Sequence, residues 1–346
     1  MEKFMKGVAA VKAGEAVLKD DIPMPVLKDY ECLVKIHTCG FCNGTDMQII
    51  HGTLTEDEGM MPFPTVLGHE GAGEVIEIGN KVRYIALGDR FIRPDTPKWY
   101  GKYSCTFGTM AEYAVAIDRK AMIEDGIPEE QMPDEGKCEK IPNDISFEDA
   151  AVMLSLLECI SAVHNFGLKP DMNVLIYGAG PMGMGVANYL KIIGAHVVLV
   201  DGIQKRLDYA KEHFGIEQTI HIQTQKLSEF CRPKSFDAVM DIVGATGILL
   251  EGTNYLKQGG ILCSMGVLKD SDAVLNLLKL QNNTRLHMLN LPYKRMDYMD
   301  ELVRLIREGK IVPRHYYSHV LPAEKISECI ELIRSKDALK VVLSFE

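Results

Sequence analysis

The chain has 346 residues, 47% of them hydrophobic and 25% charged, with a formal net charge of −10. That balance suits a soluble globular protein long enough for two domains. The acidic excess argues against nucleic acid or an anionic membrane as partner, and no stretch approaches the ~20 consecutive apolar residues that span a bilayer.

Residues 1 to 120 read as short strands broken by Gly and Pro, with Glu31 to His37, Gly71 to Ile78 and Met110 to Ile117 the clearest. Residues 120 to 140 are polar, acidic and rich in Pro and Gly, and read as an exposed loop. From Phe147 to Phe166 the composition predicts a helix. Strand and helix patterns then alternate: strand Asn173 to Tyr177, helix Met182 to Ile193, strand His196 to Val200, helix Lys205 to Phe214, strand Phe236 to Val243, a helical stretch, and strand Gly260 to Val267. Continuous apolar strands alternating with helices predict a parallel sheet covered on both faces. Beyond residue 289 the rhythm changes. Helices are predicted at Tyr298 to Glu308 and Ala323 to Ser335, and a last strand at Lys340 to Phe345, in a tail that returns to the first domain. The expected division is 1–152 with 290–346, and 153–289.

The segment NVLIYGAGPMG carries Gly178, Gly180 and Gly183 as GxGxxG, between a predicted strand and a predicted helix. That context is what dinucleotide binding requires. The first glycine makes the turn, the second admits the pyrophosphate, and the third lets helix and strand pack closely. The helix N-terminus then offers free N–H groups to the phosphates. Asp201 closes the next strand, HVVLVD, where a carboxylate accepts from the ribose hydroxyls and repels a 2′-phosphate. NAD(H) is therefore expected, with Lys205 and Arg206 close by.

A second constellation lies in the first domain: Cys39 and Cys42 in CGFCNGTD, and His69 and Glu70 in GHEGAGEVIEIGNKV. Thiolate, imidazole and carboxylate are zinc ligands. The CxxC spacing also allows a redox pair, although Gly44-Thr45-Asp46 offers no strong helix start of the kind that reading needs.

The run Gly68 to Val82 resembles the zinc signature of the medium-chain dehydrogenase/reductase family, GHE followed by GxGxVxxxGxxV. Gly88 to Arg90, Ala111 to Asp118, the glycine loop and the closing KVVLSF also resemble family segments, so the likeness covers nearly the whole chain. It implies an α/β protein with a β-rich GroES-like catalytic domain and a doubly wound Rossmann coenzyme domain. It further implies Cys42 and His69 as zinc ligands, with Glu70 as ligand or near neighbour of the metal. Asp46 would orient His69, and Thr45 would bind the substrate hydroxyl. Pro181, Met182, Arg206, Val243 and Gly266 would join the glycines and Asp201 at the coenzyme.

Several departures matter. Cys42 and Thr45 are one residue further apart than in most relatives. Leu154 stands where many relatives supply another ligand, and Glu158, a helical turn later, is the candidate substitute. Cys105 alone occupies the region of the family's structural zinc, so one catalytic zinc and no structural zinc are expected. Gln48 replaces a relay histidine, with His51 nearby. The polar segment Arg93 to Lys102 and Glu112 favour a polyol, cyclitol or sugar, with a structural plug or subunit contact as the alternative reading of Trp99-Tyr100. The expected reaction is hydride exchange between a secondary alcohol and NAD(H), in a homodimer or homotetramer. Alternatives are a simple alcohol dehydrogenase, a zinc-free reductase and a non-catalytic NAD(H)-binding protein. Nine cysteines without disulfide-like spacing, and an opening segment without a signal-peptide core, lead us to expect a cytoplasmic location.

Overall fold

The computed structural model describes residues 3–54, 60–132, 138–267, 272, 274–289 and 293–345. The chain forms two compact units, Met1–Leu154 with Pro313–Glu346, and Ser155–Val312. The second crossing thus follows Val312, later in the chain than the sequence-based boundary at 289/290.

The first unit is built on two β-sheets. In one, strands lie in the order Glu15–Pro23, Phe4–Lys12, Thr65–Val66, Tyr103–Cys105, Trp99–Tyr100. In the other, the order is Glu139–Ile141, Arg90–Ile92, Glu70–Ile78, Glu31–Gly40, Val341–Ser344, His319–Pro322, with Tyr113–Ile117 also paired to Glu31–Gly40. Alternating apolar residues such as Val34, Ile36, Val75, Val341 and Leu343 face one shared core. The final strand completes this sheet because Val342 and Leu343 pair antiparallel with Gly40 and Cys39. Residues far apart in sequence thereby meet at one end of the sheet.

The second unit is a six-stranded parallel sheet, ordered Thr219–His221, His196–Asp201, Asn173–Tyr177, Phe236–Asp241, Leu256–Ser264, Arg285–Met288. Numbered along the chain this is 3-2-1-4-5-6, the doubly wound order in which dinucleotides bind outside the carboxyl ends of the strands. The central strands are buried on both faces, which explains their unbroken apolar runs.

Two local expectations change. Residues 120–140 are not wholly loop: Arg119–Glu124 is a helix, because Asp118 caps it by accepting the Ala121 amide at 2.9 Å. The predicted helix from Phe147 is two helices, Phe147–Ala150 and Met153–Asn165, the first capped by the Ser146 hydroxyl. Among the described residues, no helix is long and apolar enough to cross a membrane.

Candidate functional site

Three adjacent strands deliver the candidate metal site. Glu31–Gly40 leads into Cys42, Glu70 opens Glu70–Ile78, and Lys340 directly precedes Val341–Ser344. The registers place Gly40 opposite Glu70 on one side and Val342 on the other, and the Phe41 amide donates to the Val341 carbonyl at 2.8 Å. Gly40 has to be glycine: a β-carbon there would overlap the Glu70 carboxylate and lie 2.6 Å from the Ala151 carbonyl oxygen.

Cys42, His69 and Glu70 bring one ligand atom each to within 4.8 Å of one another. His69 Nε2 lies 3.9 Å from Glu70 Oε1, and Nδ1 lies 3.9 Å from Asp46 Oδ1. One ring nitrogen thus faces the cluster while the other faces a carboxylate, the arrangement that orients a ligating imidazole. His69 Nδ1 and Asp46 Oδ1 are both buried without a hydrogen-bond partner. The other Asp46 oxygen accepts the Cys42 amide at 2.8 Å. Sulfur, nitrogen and carboxylate oxygen brought together in this largely buried cluster fit a zinc ion by donor chemistry and spacing.

Burial pushes the Cys42 thiol up, and Glu70 adds to this, while Lys340 and the Thr45 amide and hydroxyl favour the thiolate. Burial also pushes the Asp46 carboxyl up to about 7, against the pull of His69. Phe107 packs its ring edge-on to His69 at 5.2 Å.

Cys39, the rival ligand, is fully buried, with Sγ 3.6 Å from Thr109 Oγ1, and lies outside the cluster. Its pKa is raised by burial. The sequence reading saw no helix start at Gly44-Thr45-Asp46, yet a helix begins there. Thr45–His51 starts after Gly44, with the Asp46 amide donating to the Cys42 carbonyl at 3.2 Å. Thr45 occupies its first residue, Gln48 is half-buried, and His51 is exposed at its end. Glu158 lies in the second unit, in an ion pair with Arg295 at 3.4 Å. Leu154 is buried, as is Cys105. Tyr100 is buried in the core of the smaller sheet and Trp99 is exposed, so the pair divides between plug and surface. Glu112 Oε2 accepts the Lys6 amide at 2.7 Å.

In the second unit the glycine motif has the expected form. Gly178 adopts φ +109, its amide donates to the Val200 carbonyl, and Gly180 caps the helix Pro181–Ile192, which includes Met182 and Gly183. Asp201 accepts the Ala179 amide at 2.6 Å through one oxygen and the Ile203 amide at 2.8 Å through the other. The acid therefore also ties the glycine turn to the neighbouring strand. Arg206 is half-buried in the first turn of Gln204–Phe214. A β-carbon on Gly178 would touch Val243, and one on Gly266 would overlap the Gly244 backbone, so these loops crowd one strand end.

Two residues escaped the sequence reading. Asp241, fully buried, accepts the amides of Val243, Gly244 and Ala245 at 2.9–3.0 Å and shapes the loop after its strand. Its signal was available, since FDAVMD ends in an acid as HVVLVD does. Lys340 lies buried against Glu70 and donates to both carboxylate oxygens. Only the lysine heading the last apolar strand could have hinted at that.

Residues 28–128 match the family model described as alcohol dehydrogenase GroES-like domain, and residues 181–308 the model described as zinc-binding dehydrogenase. The chain is 26% identical over 350 residues to a sorbitol dehydrogenase of Bombyx mori, covering 97% of each. It is 26% identical over 358 residues to an L-threonine 3-dehydrogenase of Yersinia pestis (strain Pestoides F), covering 99% of this chain and 100% of that one. In fold it is similar to an alcohol dehydrogenase from Thermus sp. ATN1, with a TM-score of 0.77 and 22% identity over 99% of this chain and 100% of that one. With both domain models matched, the chain belongs to the zinc-dependent medium-chain dehydrogenase/reductase family of oxidoreductases.

Proposed function

We propose that this chain catalyses reversible hydride transfer between a secondary alcohol of a polyol, cyclitol or sugar and NAD(H), with one catalytic zinc. The observation that carries the reading is the buried cluster of Cys42, His69 and Glu70 backed by Asp46. Cys42 and His69 would hold the ion, and Glu70 is the third protein ligand within reach. Bound zinc would supply a Lewis acid that makes the alcohol oxygen easier to deprotonate. Asp46 fixes the Cys42 backbone and the His69 ring, so the ligands need little rearrangement. Thr45, whose hydroxyl faces the Cys42 sulfur, receives the proton of the substrate hydroxyl at Oγ1 and passes it on.

Gly178, Gly180 and Gly183 seat the pyrophosphate at the head of Pro181–Ile192, with Pro181, Met182, Val243 and Gly266 around the coenzyme. Asp201 selects NAD by its negative charge at the ribose, beside Arg206. The polyol reading is supported by the polar segment Arg93 to Lys102 and by full-length similarity to a sorbitol dehydrogenase. The protein acts as a homo-oligomer in the cytoplasm.

Elemental analysis of the purified chain tests the reading, with about one zinc per chain expected for a single catalytic site. His69→Ala is expected to lose both zinc and NAD-dependent oxidation of polyols. Full zinc content and full turnover in that variant would end the proposal.

A further inference from the structure

The parallel sheet of the second unit is covered unevenly at the amino ends of its strands. Strand His196–Asp201 pairs with Asn173–Tyr177 from its first residue, but with Thr219–His221 only from Leu199 onward. The backbone from His196 to Val198 therefore borders a gap on that side. The segment 226–235, which includes the short helix Leu227–Phe230, borders the gap from across. A cavity of about 480 Å³ remains between them. His196, Gln218, Phe230 and Arg232 line it, with Val198 and Phe236 as its buried apolar part.

The charge around this cavity is opposite to that of the chain. The protein carries a net charge of −10, yet none of the described side chains lining the cavity is a carboxylate. The segment 226–235 holds Lys226, Arg232 and Lys234 against Glu229 alone. Asp237, next to Phe236, is held by the Lys257 ammonium at 2.8 Å and the Asn173 amide at 2.9 Å. Arg232 is exposed, and among the described residues its guanidinium makes no ion pair or hydrogen bond. Phe230 is 56% exposed, so most of an aromatic ring stands open to water at the rim. The backbone that carries these side chains is fixed. The Ser235 hydroxyl donates to the Arg232 carbonyl at 2.7 Å, the Cys231 amide to the Leu227 carbonyl at 2.8 Å, and the Lys234 amide to the Asn254 carbonyl at 3.1 Å. A ligand arriving here would not have to order the loop, which lowers the cost of binding.

We propose that this cavity binds a small planar aromatic carboxylate, at a site separate from the coenzyme. The guanidinium fork of Arg232 matches a carboxylate with two parallel hydrogen bonds. The ring of Phe230 offers a face for stacking, and the apolar lining takes the body of the ligand. The Gln218 amide and the His196 ring supply further polar contacts, in a cavity of the size small-molecule sites have. Inorganic phosphate would use the cation but gain nothing from Phe230 or the apolar lining. The position keeps the two ligands apart. Asn173 and His196 stand at the amino ends of two strands whose carboxyl ends lead to Gly178 and Asp201. At ~3.3 Å per residue, the glycine turn is roughly 16 Å further along. The site is independent of the zinc cluster proposed above.

The test is isothermal titration of the full-length chain with 2-naphthoate, and with 2-naphthamide as its uncharged counterpart. One saturable site per chain is expected for 2-naphthoate, with at least about tenfold weaker binding of the amide, the scale of a hydrogen bond to a charged group. Arg232→Gln should weaken 2-naphthoate by a similar factor, and Phe230→Ser by about threefold to tenfold, the scale of an aromatic pair. Both positions are exposed, so thermal melting should be unchanged in the two variants and a loss of binding is a loss of contacts. Absence of saturable binding up to the solubility of the probe would overturn the inference. Full affinity in both variants would also overturn it, by placing the probe elsewhere on the chain, the candidate active site included. Displacement of 2-naphthoate by an equal concentration of inorganic phosphate would overturn it by showing a general anion site.

Discussion

Gly183 sits so close to Gly178 that a β-carbon on Gly183 would overlap the Gly178 carbonyl oxygen. The third glycine of the motif is therefore required by the packing of the helix Pro181–Ile192 on its own entry turn. Gly183→Ala should push the helix N-terminus away from the turn and lower stability by ~1–3 kcal/mol, the usual cost of overpacking. NADH binding, followed by fluorescence titration, should weaken at the same time. A variant with unchanged melting temperature and unchanged NADH affinity would show that the turn has room.

Asp201 ties the glycine turn to the next strand, and its proposed second role is at the coenzyme ribose. Asp201→Ser removes the negative charge and weakens the bonds from the Ala179 and Ile203 amides. Charge-assisted hydrogen bonds are worth ~1.5–3 kcal/mol, so the affinity for NAD should fall at least about tenfold. The kcat/KM ratio for NADP over NAD should rise. If that ratio stays constant, Asp201 does not choose the coenzyme.

The two cysteines of CGFC should behave differently. Cys42→Ser is expected to lower bound zinc sharply, because Cys42 belongs to the ligand cluster. Cys39→Ser should keep its zinc, since that sulfur is buried beside Thr109. Its cost should appear as a modest drop in melting temperature. Metal content by elemental analysis separates the two, and the reverse pattern would reassign the ligand.

His37 gives the fold an acid sensitivity outside the metal site. Its ring stacks on Phe147, with centroids 4.1 Å apart, and Nε2 lies 3.4 Å from Glu74 Oε1. Burial lowers its pKa below 6.5, against the opposing pull of Glu74. The unfolded chain then takes up the proton at higher pH than the folded chain does. The stability linked to His37 is fully present above the unfolded value and is lost as pH falls through the folded one. His37→Gln should reduce the fall in melting temperature between about pH 7 and about pH 5. Parallel melting profiles for the two proteins would assign the acid sensitivity elsewhere.

A second copy of the chain is the expected partner of the strand Arg285–Met288, which ends the parallel sheet. Leu277 and Leu278, a few residues before it in the chain, are 67% and 97% exposed, and Leu286 and Met288 are 37% and 41% exposed. Among the described residues the outer edge of this strand has no partner, and such an edge can pair with its own copy across a two-fold axis. Leu278→Lys, at a position that contributes nothing to the core of its own unit, should shift the sedimenting species from dimer toward monomer. An unchanged sedimentation coefficient would place the contact on another face.

The sequence by itself determined the four central strands of the second unit and its glycine turn, but not the edge strands Thr219–His221 and Arg285–Met288 or the extension to Val312. The central strands are single runs with local patterns, and the glycine turn and Asp201 lie within a few residues of the elements they serve. The GroES-like unit was legible through the signature from Gly68 to Val82, which keeps His69 and Glu70 adjacent and names the ligand types. Short-range signals misjudged Arg119–Glu124 and Thr45–His51. In the first a single aspartate cap outweighs a Pro- and Gly-rich surround, and in the second the helix starts on a glycine with no capping side chain. The resemblance already pointed to Cys42 rather than Cys39, and the tertiary structure supplies the physical reason: one sulfur joins His69 in the candidate cluster while the other is buried against Thr109. Only the tertiary structure brought Lys340 to Glu70, 270 residues apart. That contact depends on the closing strand pairing with Glu31–Gly40, a long-range choice fixed by the register of a shared sheet and absent from any local pattern.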